Sequence, residues 1–217
     1  VQMIKGKRIL ITGAGGSIGF ELLKQCLNFQ PAELICVDIV EEKIHNIDQF
    51  CDKINLKTVV KTVLASVNSE NELDKVFMEN RPQIVFHAAA FKHVPIQEVH
   101  PWNAVTTNIG GTLNIIKLSD KYKVSKFVLV STDKAVNPVN VMGATKRVAE
   151  KIVISFNAES ITTFMAVRFG NVLGSSGSAI PTFQKQINNG GPITITHPEM
   201  TRYFMSIQEA SQLILQC

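Results

Sequence analysis

The chain has 217 residues, 45% of them hydrophobic, which suffices for one well-buried domain and argues against a disordered polypeptide. Its 22 basic and 18 acidic residues leave a net charge of +4, with the basic residues scattered singly or in pairs, so no stripe points to nucleic acid. No apolar run reaches the ~18 residues of a membrane span, and no signal-peptide pattern opens the chain.

Cys26, Cys36, Cys51 and Cys217 show neither CxxC pairing nor a histidine at metal-ligand spacing. Free thiols in a reducing cytosol are expected, with no metal site.

Short apolar, β-branched runs at 8–12, 33–38, 58–64, 83–87, 127–131 and 162–169 alternate with amphipathic segments. The latter lie at about 17–29, 41–54, 69–80, 98–121 and 141–158. Strand–helix alternation with near-continuous apolar strands predicts a doubly wound parallel α/β sheet, covered on both faces. After Phe169 a glycine- and serine-rich loop spans 170–178. A short helix at about 180–189, a turn at Gly190-Gly191-Pro192, a strand at 193–196 and a helix at 206–217 should follow. We therefore expect a dinucleotide-binding domain at 1–169 and a partial substrate-binding region at 170–217.

The first chemical signal is Gly13-Ala14-Gly15-Gly16-Ser17-Ile18-Gly19, which directly follows the first strand and opens a helix. Such a turn lets backbone approach a pyrophosphate while the helix N-terminus presents N–H donors. Asp38 ends the second strand, where a carboxylate can accept both adenosine ribose hydroxyls. A 2′-phosphate would meet Asp38, Glu41 and Glu42, so NAD is favoured over NADP, although Lys43 could partly offset that repulsion. This is the Rossmann pattern.

Ala88, Ala89 and Ala90 follow strand four and allow close approach of a dinucleotide, while His87 reads as structural. Lys92 stands on the next loop, either meeting a phosphate or hydroxyl or simply exposed. Strand five runs into Ser131-Thr132-Asp133-Lys134, adjacent groups that donate, accept and titrate at the mouth of the predicted cleft. Met142 and Lys146 lie four apart, hence on one helix face, which lets Lys146 point at a nicotinamide ribose.

Seven segments carry a family resemblance. They are Gly-Ala-Gly-Gly-Ser-Ile-Gly at 13–19, His-Ala-Ala-Ala-Phe-Lys-His-Val-Pro at 87–95, Asn-Ile-Gly-Gly-Thr-Leu-Asn at 108–114, and Ser-Thr-Asp-Lys-Ala-Val-Asn-Pro at 131–138. Met-Gly-Ala-Thr-Lys-Arg at 142–147, Arg-Phe-Gly-Asn-Val-Leu-Gly at 168–174 and the stretch from Gly-Gly-Pro to Tyr-Phe-Met at 190–205 complete the set. Together they resemble the capsular-polysaccharide branch of nucleotide-sugar 4,6-dehydratases, extended short-chain dehydrogenases acting on UDP-N-acetylglucosamine. The resemblance implies catalytic roles for Thr132, Asp133, Lys134 and Lys146, with Met142 in place of the usual tyrosine of Tyr-x-x-x-Lys. A thioether has no proton to exchange, so the Thr-Asp-Lys turn must take over that work. Asp133 is then expected as the acid at C6, Lys134 as a neutral base at C5 and Thr132 as the partner of the C4 oxygen. Ser66, with Val67 beside it, stands where many relatives carry an Asp near the adenine, and Asn108 steadies the active-site helix. Asn171 and Val172 would lie along the sugar diphosphate, and Arg202 would meet a phosphate or uridine hydroxyl.

The implied reaction oxidises sugar C4, eliminates water across C5 and C6, and returns hydride to C6. Met at 142 further resembles long, membrane-anchored members of the branch. This implies hydrophobic spans before Val1, residues after Cys217, and a domain in the cytoplasm or at the cytoplasmic face of the inner membrane. A homo-oligomer is compatible with all of this. Two other readings stay open: a UDP-sugar 4-epimerase, and a nucleotide-binding module that has lost catalysis.

Overall fold

The computed structural model describes residues 3–54, 57–175, 179–195 and 197–217. Six parallel strands form one sheet: β1 (Arg8–Thr12), β2 (Glu33–Asp38), β3 (Val59–Leu64), β4 (Ile84–His87), β5 (Lys126–Val130) and β6 (Thr163–Val167). Their order is β3-β2-β1-β4-β5-β6, the doubly wound arrangement expected from the sequence. Ile9 and Ile11 of β1 face one side and Leu10 the other, following the two-residue period of a strand.

Helices cover both faces. Leu10, Ile35, Val37, Val85, Phe127 and Leu129 pack under α3 (Glu70–Asn80), α6 (Thr112–Lys121) and α7 (Val141–Asn157). On the opposite face, Ile9, Ile11, Leu34, Cys36 and Phe86 pack against α1 (Ser17–Leu27) and α2 (Glu41–Asp52). The last helix, α9 (Ile207–Leu215), lies beside α1 and buries Ile214 in this second core. It opens with a capping box between Ser206 and Glu209.

The single long helix expected at 98–121 is corrected. The chain instead forms α4 (Val94–Val99), α5 (Pro101–Ala104), a π-helical segment (Val105–Gly111) and then α6. Proline has no N–H to donate and disfavours helical geometry in the residue before it, and His100 accordingly leaves the helix at φ −124° and ψ 60°. The π segment is the single-turn kind that recurs at functional sites.

A second correction concerns 193–196. Residues 193–195 are not a strand, and Thr196 lies outside the described residues. The Thr194 N–H donates to the Gln186 side chain at 3.1 Å rather than to a ladder partner. A small parallel pair forms instead between β7 (Asn171–Val172) and β8 (Phe204–Met205). The helix expected near 180–189 is α8 (Ala179–Asn188), while residues 176–178 of the glycine-serine loop lie outside the described residues. Among the described residues no helix is long and apolar enough to cross a membrane.

Strand order reverses at β1, with β2 on one side and β4 on the other. The connections leaving β1 toward β2 and β4 toward β5 therefore run in opposite directions, and a doubly wound sheet opens its crevice at that point, at the carboxyl ends of β1 and β4.

Candidate active site

The crevice is built first from glycine. Gly13 follows β1 with φ +65°, and a Cβ on it would lie 2.7 Å from Ala89 N and 2.8 Å from Ala89 Cα. Only a residue without a side chain lets this turn close against the small residues Ala88, Ala89 and Ala90. Beyond Gly15 and Gly16, α1 starts at Ser17 and Ile18 with no acidic residue in its first turn and no side-chain cap from Gly16. Gly19 is buried within that first turn. No carboxylate of that turn thus offsets the positive end of the helix, which suits an anion.

Asp38, at the tip of β2, is buried, and its carboxylate ties the turn together. Oδ2 accepts from Gly15 N at 2.9 Å and Oδ1 from Val40 N at 3.1 Å. Each oxygen retains further acceptor capacity. Ser66 N donates to Glu72 Oε2 and the Ser66 hydroxyl accepts from Asn68 N, while Val67 is buried after β3.

His87 is fully buried between two threonines, Nδ1 2.6 Å from Thr12 Oγ1 and Nε2 3.0 Å from Thr112 Oγ1. Thr112 spends its own proton on Asn108 O at 2.7 Å, so Nε2 carries the ring hydrogen and Nδ1 accepts from Thr12. Burial, and secondarily the charge of Lys146, press the His87 pKa down to about 3. The residue is a neutral rivet between β1, β4 and α6.

Asn108 is also fully buried. Its Oδ1 accepts from Phe91 N at 2.8 Å, and its Nδ2 donates to Phe91 O at 3.1 Å and Thr145 Oγ1 at 3.0 Å. The side chain grips the loop after β4 and the helix α7, which fits the expected role of steadying the helix.

Thr132, Asp133 and Lys134 leave β5 in a 3₁₀ turn (Asp133–Ala135), the irregular backbone that brings neighbouring side chains together. Asp133 Oδ1 is the meeting point: Thr132 Oγ1 donates to it at 2.9 Å and Lys134 Nζ at 3.1 Å. Lys134 Nζ also donates to Asn171 Oδ1 at 3.2 Å, and Asp133 N to Phe169 O at 3.0 Å. Burial works to raise the Asp133 pKa, but the bonds from Lys134 and Thr132 outweigh it and hold the carboxyl below its ordinary value. Asp133 is thus held as a carboxylate, with Lys134 Nζ folded back onto it.

Met142 and Lys146 lie on the buried face of α7, together with Thr145, Ala149 and Glu150. Burial lowers the Lys146 pKa to about 8, against an upward pull from Glu150. Two residues nearby carry the arrangement but were not singled out from sequence. Gly143 sits against the Lys134 carbonyl, and Glu150 bonds Ser131 and Arg168. The spacing of Lys146 and Glu150, one helical turn apart, was the available signal.

Val172 is buried and Asn171 half-buried on β7. Arg202, exposed one residue before Tyr203, donates to Thr201 O at 2.8 Å, and Tyr203 O accepts from Asn171 N at 3.0 Å. Lys92 is solvent-accessible but crowded, and that crowding, then the charge of Lys43, depresses its pKa. Among the described residues no hydrogen bond or ion pair joins Lys92 or Arg202 to the Asp133–Lys134 cluster.

Comparison with known proteins supports the fold and gives the family. A family model described as "Polysaccharide biosynthesis protein" matches residues 9–217. The probable polysaccharide biosynthesis protein EpsC of Bacillus subtilis is 51% identical over 214 residues, 98% of this chain and 36% of that protein. This chain thus spans about a third of that relative's length. A UDP-glucose 4-epimerase of Rickettsia bellii is 38% identical over 98% of the chain and 63% of its own length. The inverting UDP-N-acetylglucosamine 4,6-dehydratase of Campylobacter jejuni is 35% identical over 98% and 64%. Among solved structures, Pen from Bacillus thuringiensis superposes with a TM-score of 0.91 at 36% identity, covering 98% of this chain and 67% of that one. The chain belongs to the polysaccharide biosynthesis protein family.

Proposed function

We propose that the chain is the dinucleotide-binding, catalytic part of an NAD-dependent 4,6-dehydratase of UDP-N-acetylglucosamine, which makes a 4-keto-6-deoxy sugar for polysaccharide assembly. The observation that carries this reading is the Asp133–Lys134 ion pair, 3.1 Å apart on the turn beside Thr132 and Asn171. An elimination needs one acid and one base on neighbouring atoms of a ring, and a paired carboxylate and ammonium hold the single proton that such a step passes on.

The small-residue cradle of Gly13 and Ala88–Ala90, the open N-terminus of α1 and the Asp38 carboxylate fit a dinucleotide. Ser66 and Val67 would flank its adenine, and Lys146 would meet its nicotinamide ribose. When bound, the nicotinamide supplies a hydride acceptor that later becomes the donor, so no external reductant is consumed.

Thr132 would hold the C4 oxygen of the sugar. Covering the pair with sugar disfavours separated charges. A proton shift along the 3.1 Å bond then leaves a neutral amine on Lys134 and a carboxylic acid on Asp133. The amine takes the C5 proton, and the acid protonates the departing C6 hydroxyl, which leaves as water. Both groups finish as they began. Asn171 and Val172 would line the sugar diphosphate, with Lys92 and Arg202 neutralising its charge.

The 38% identity to the Rickettsia epimerase favours a second reading, in which hydride returns to C4 and no water is lost. The two differ in mass. Incubation of the whole protein with NAD and UDP-N-acetylglucosamine should give a product lighter by one water. An isobaric product would establish the epimerase, and an unchanged nucleotide sugar would leave a binding module.

A further inference from the structure

Glu150 lies one turn beyond Lys146 on the buried face of α7, and its side chain is only 3% exposed. Four hydrogen bonds converge on its carboxylate. Ser131 Oγ donates to Oε1 at 2.6 Å, Arg168 Nε to Oε1 at 2.8 Å, Arg168 Nη2 to Oε2 at 2.6 Å, and Arg147 Nη1 to Oε2 at 3.3 Å. Burial works to raise its pKa, but the bonds from Arg168 and Ser131 outweigh it and keep it below the usual value. A buried ion pair adds little to stability compared with well-packed apolar residues, so this anion calls for another explanation.

Its donors supply one. Ser131 immediately precedes the Thr132–Asp133–Lys134 turn, and Arg168 lies three residues before Asn171, whose Oδ1 accepts from Lys134 Nζ. Glu150, Ser131, Lys134, Asn171 and Arg168 thus form a closed ring of chain and hydrogen bonds around the candidate acid–base pair. Glu150 is also the anion acting on Lys146, which is buried with no hydrogen-bond or ion-pair partner among the described residues. The other charged or titratable groups around these two are neutral His87 from β4, Arg147 on α7 itself, and Arg168 after β6. Asp133 and Lys134 stand on the turn after β5.

We propose that Glu150 is a positioning residue: it fixes the Ser131–Lys134 turn against the Arg168–Asn171 turn, and its buried carboxylate is the counter-charge to Lys146 one helical turn away. The proposal rests on reading the crevice as a nicotinamide-dependent sugar-nucleotide site.

The test uses the whole enzyme, with NADH binding by fluorescence and turnover of UDP-N-acetylglucosamine both followed from neutral to alkaline pH. Lys146 loses its charge as pH rises through about 8, and Glu150 opposes that loss. In E150Q the alkaline limb of both NADH binding and kcat/KM should move down by about one pH unit. In E150D, which keeps the charge but shortens its reach, the limb should stay in place while kcat falls. S131A should lower kcat about tenfold with the limb unmoved, one bond to a charged group being lost.

An E150Q variant with pH profiles superposable on the unmodified enzyme overturns the proposal, whatever its stability. If E150Q does not fold, unchanged kcat in S131A overturns it instead. An unmodified enzyme that binds NADH but leaves every sugar nucleotide untouched sinks the dehydratase reading while the binding limb still judges Glu150. A protein that binds no nicotinamide dinucleotide sinks both.

Discussion

Gly143 packs directly against the backbone carbonyl of Lys134: a Cβ on this glycine would lie 2.4 Å from that oxygen and 3.2 Å from the carbonyl carbon. The contact seats the first turn of α7 on the acid–base turn, and Asn140, capping the same helix through Gly143 N at 2.8 Å, sets its direction. Gly143→Ala tests how closely function depends on that seating. Alanine suits a helix better than glycine by ~1 kcal/mol, yet here overpacking should cost roughly 1–3 kcal/mol. Urea denaturation should show net destabilisation, and displacement of Lys134 should cut kcat by about 10²-fold. NAD affinity should hardly change, since the glycine-rich turn is elsewhere. A fully active, more stable Gly143→Ala enzyme would show that the turn tolerates movement.

The Asp133–Lys134 pair makes a second prediction. Asp133→Asn and Lys134→Ala each remove one member, and each should lose roughly 10²–10⁴-fold in turnover while binding NAD almost normally. Met142→Ala should cost much less, because a buried thioether can pack but cannot carry a proton. Deuterium exchange at C5 separates the steps. Lys134→Ala should abolish exchange, and Asp133→Asn should slow it as well, because Asp133 takes the proton that frees the Lys134 amine. Near-normal turnover in both variants would refute the assignment.

What the sequence revealed, and what it hid, follows from how local each feature is. The strands were legible because runs such as 33–38 and 84–87 are buried on both faces and so nearly continuously apolar. The glycine turn and Asp38 were legible because their spacing is itself the geometry. The break at His100 could have been read from Pro101, but the π segment depends on Asn108 reaching Phe91 and Thr145, partners 17 and 37 residues away. β7 and β8 are two residues each, too short for any period to register. Glu150 sits in a stretch of Lys, Arg and Glu that resembles a solvated helix face, and its bonds to Ser131 and Arg168, just past β5 and β6, make it internal. The Thr132–Lys134 turn was legible as a cluster of polar groups after β5; that Lys134 folds back onto Asp133 was not.

Cofactor choice turns on Asp38. Its carboxylate accepts from Gly15 and Val40 and would also repel a 2′-phosphate, so titration calorimetry should show NAD bound more tightly than NADP. Asp38→Ala should weaken NAD binding by about tenfold, the loss of a hydrogen bond to a charged group, and narrow the gap to NADP. Lys43, whose stem lies against Gly15, should then be free to favour the phosphate, and a Lys43→Ala change added to Asp38→Ala should reverse that gain. NADP preference in the unmodified protein would contradict the role given to Asp38.

His87 predicts a pH dependence of stability with a defined sign. In the fold it is neutral, its pKa pressed by burial from 6.5 to about 3, while in the unfolded chain it takes up a proton near 6.5. Below that pH the unfolded state binds one more proton than the folded one. Stability is therefore complete above about 6.5 and falls as pH drops toward 3, by up to about 1.4 kcal/mol per pH unit from this residue. Asp133 and Glu150, both held below ordinary values near 4, add their own losses only at lower pH. The interval between about 4.5 and 6.5 thus isolates the histidine. Urea midpoints measured across it should decline with falling pH in the unmodified protein. They should be much flatter in His87→Gln, which keeps hydrogen-bonding capacity between Thr12 and Thr112 but does not titrate. Equal slopes in the two proteins would mean that His87 is already protonated in the fold, and the Thr12 bond, in which Nδ1 accepts, would have to be reversed.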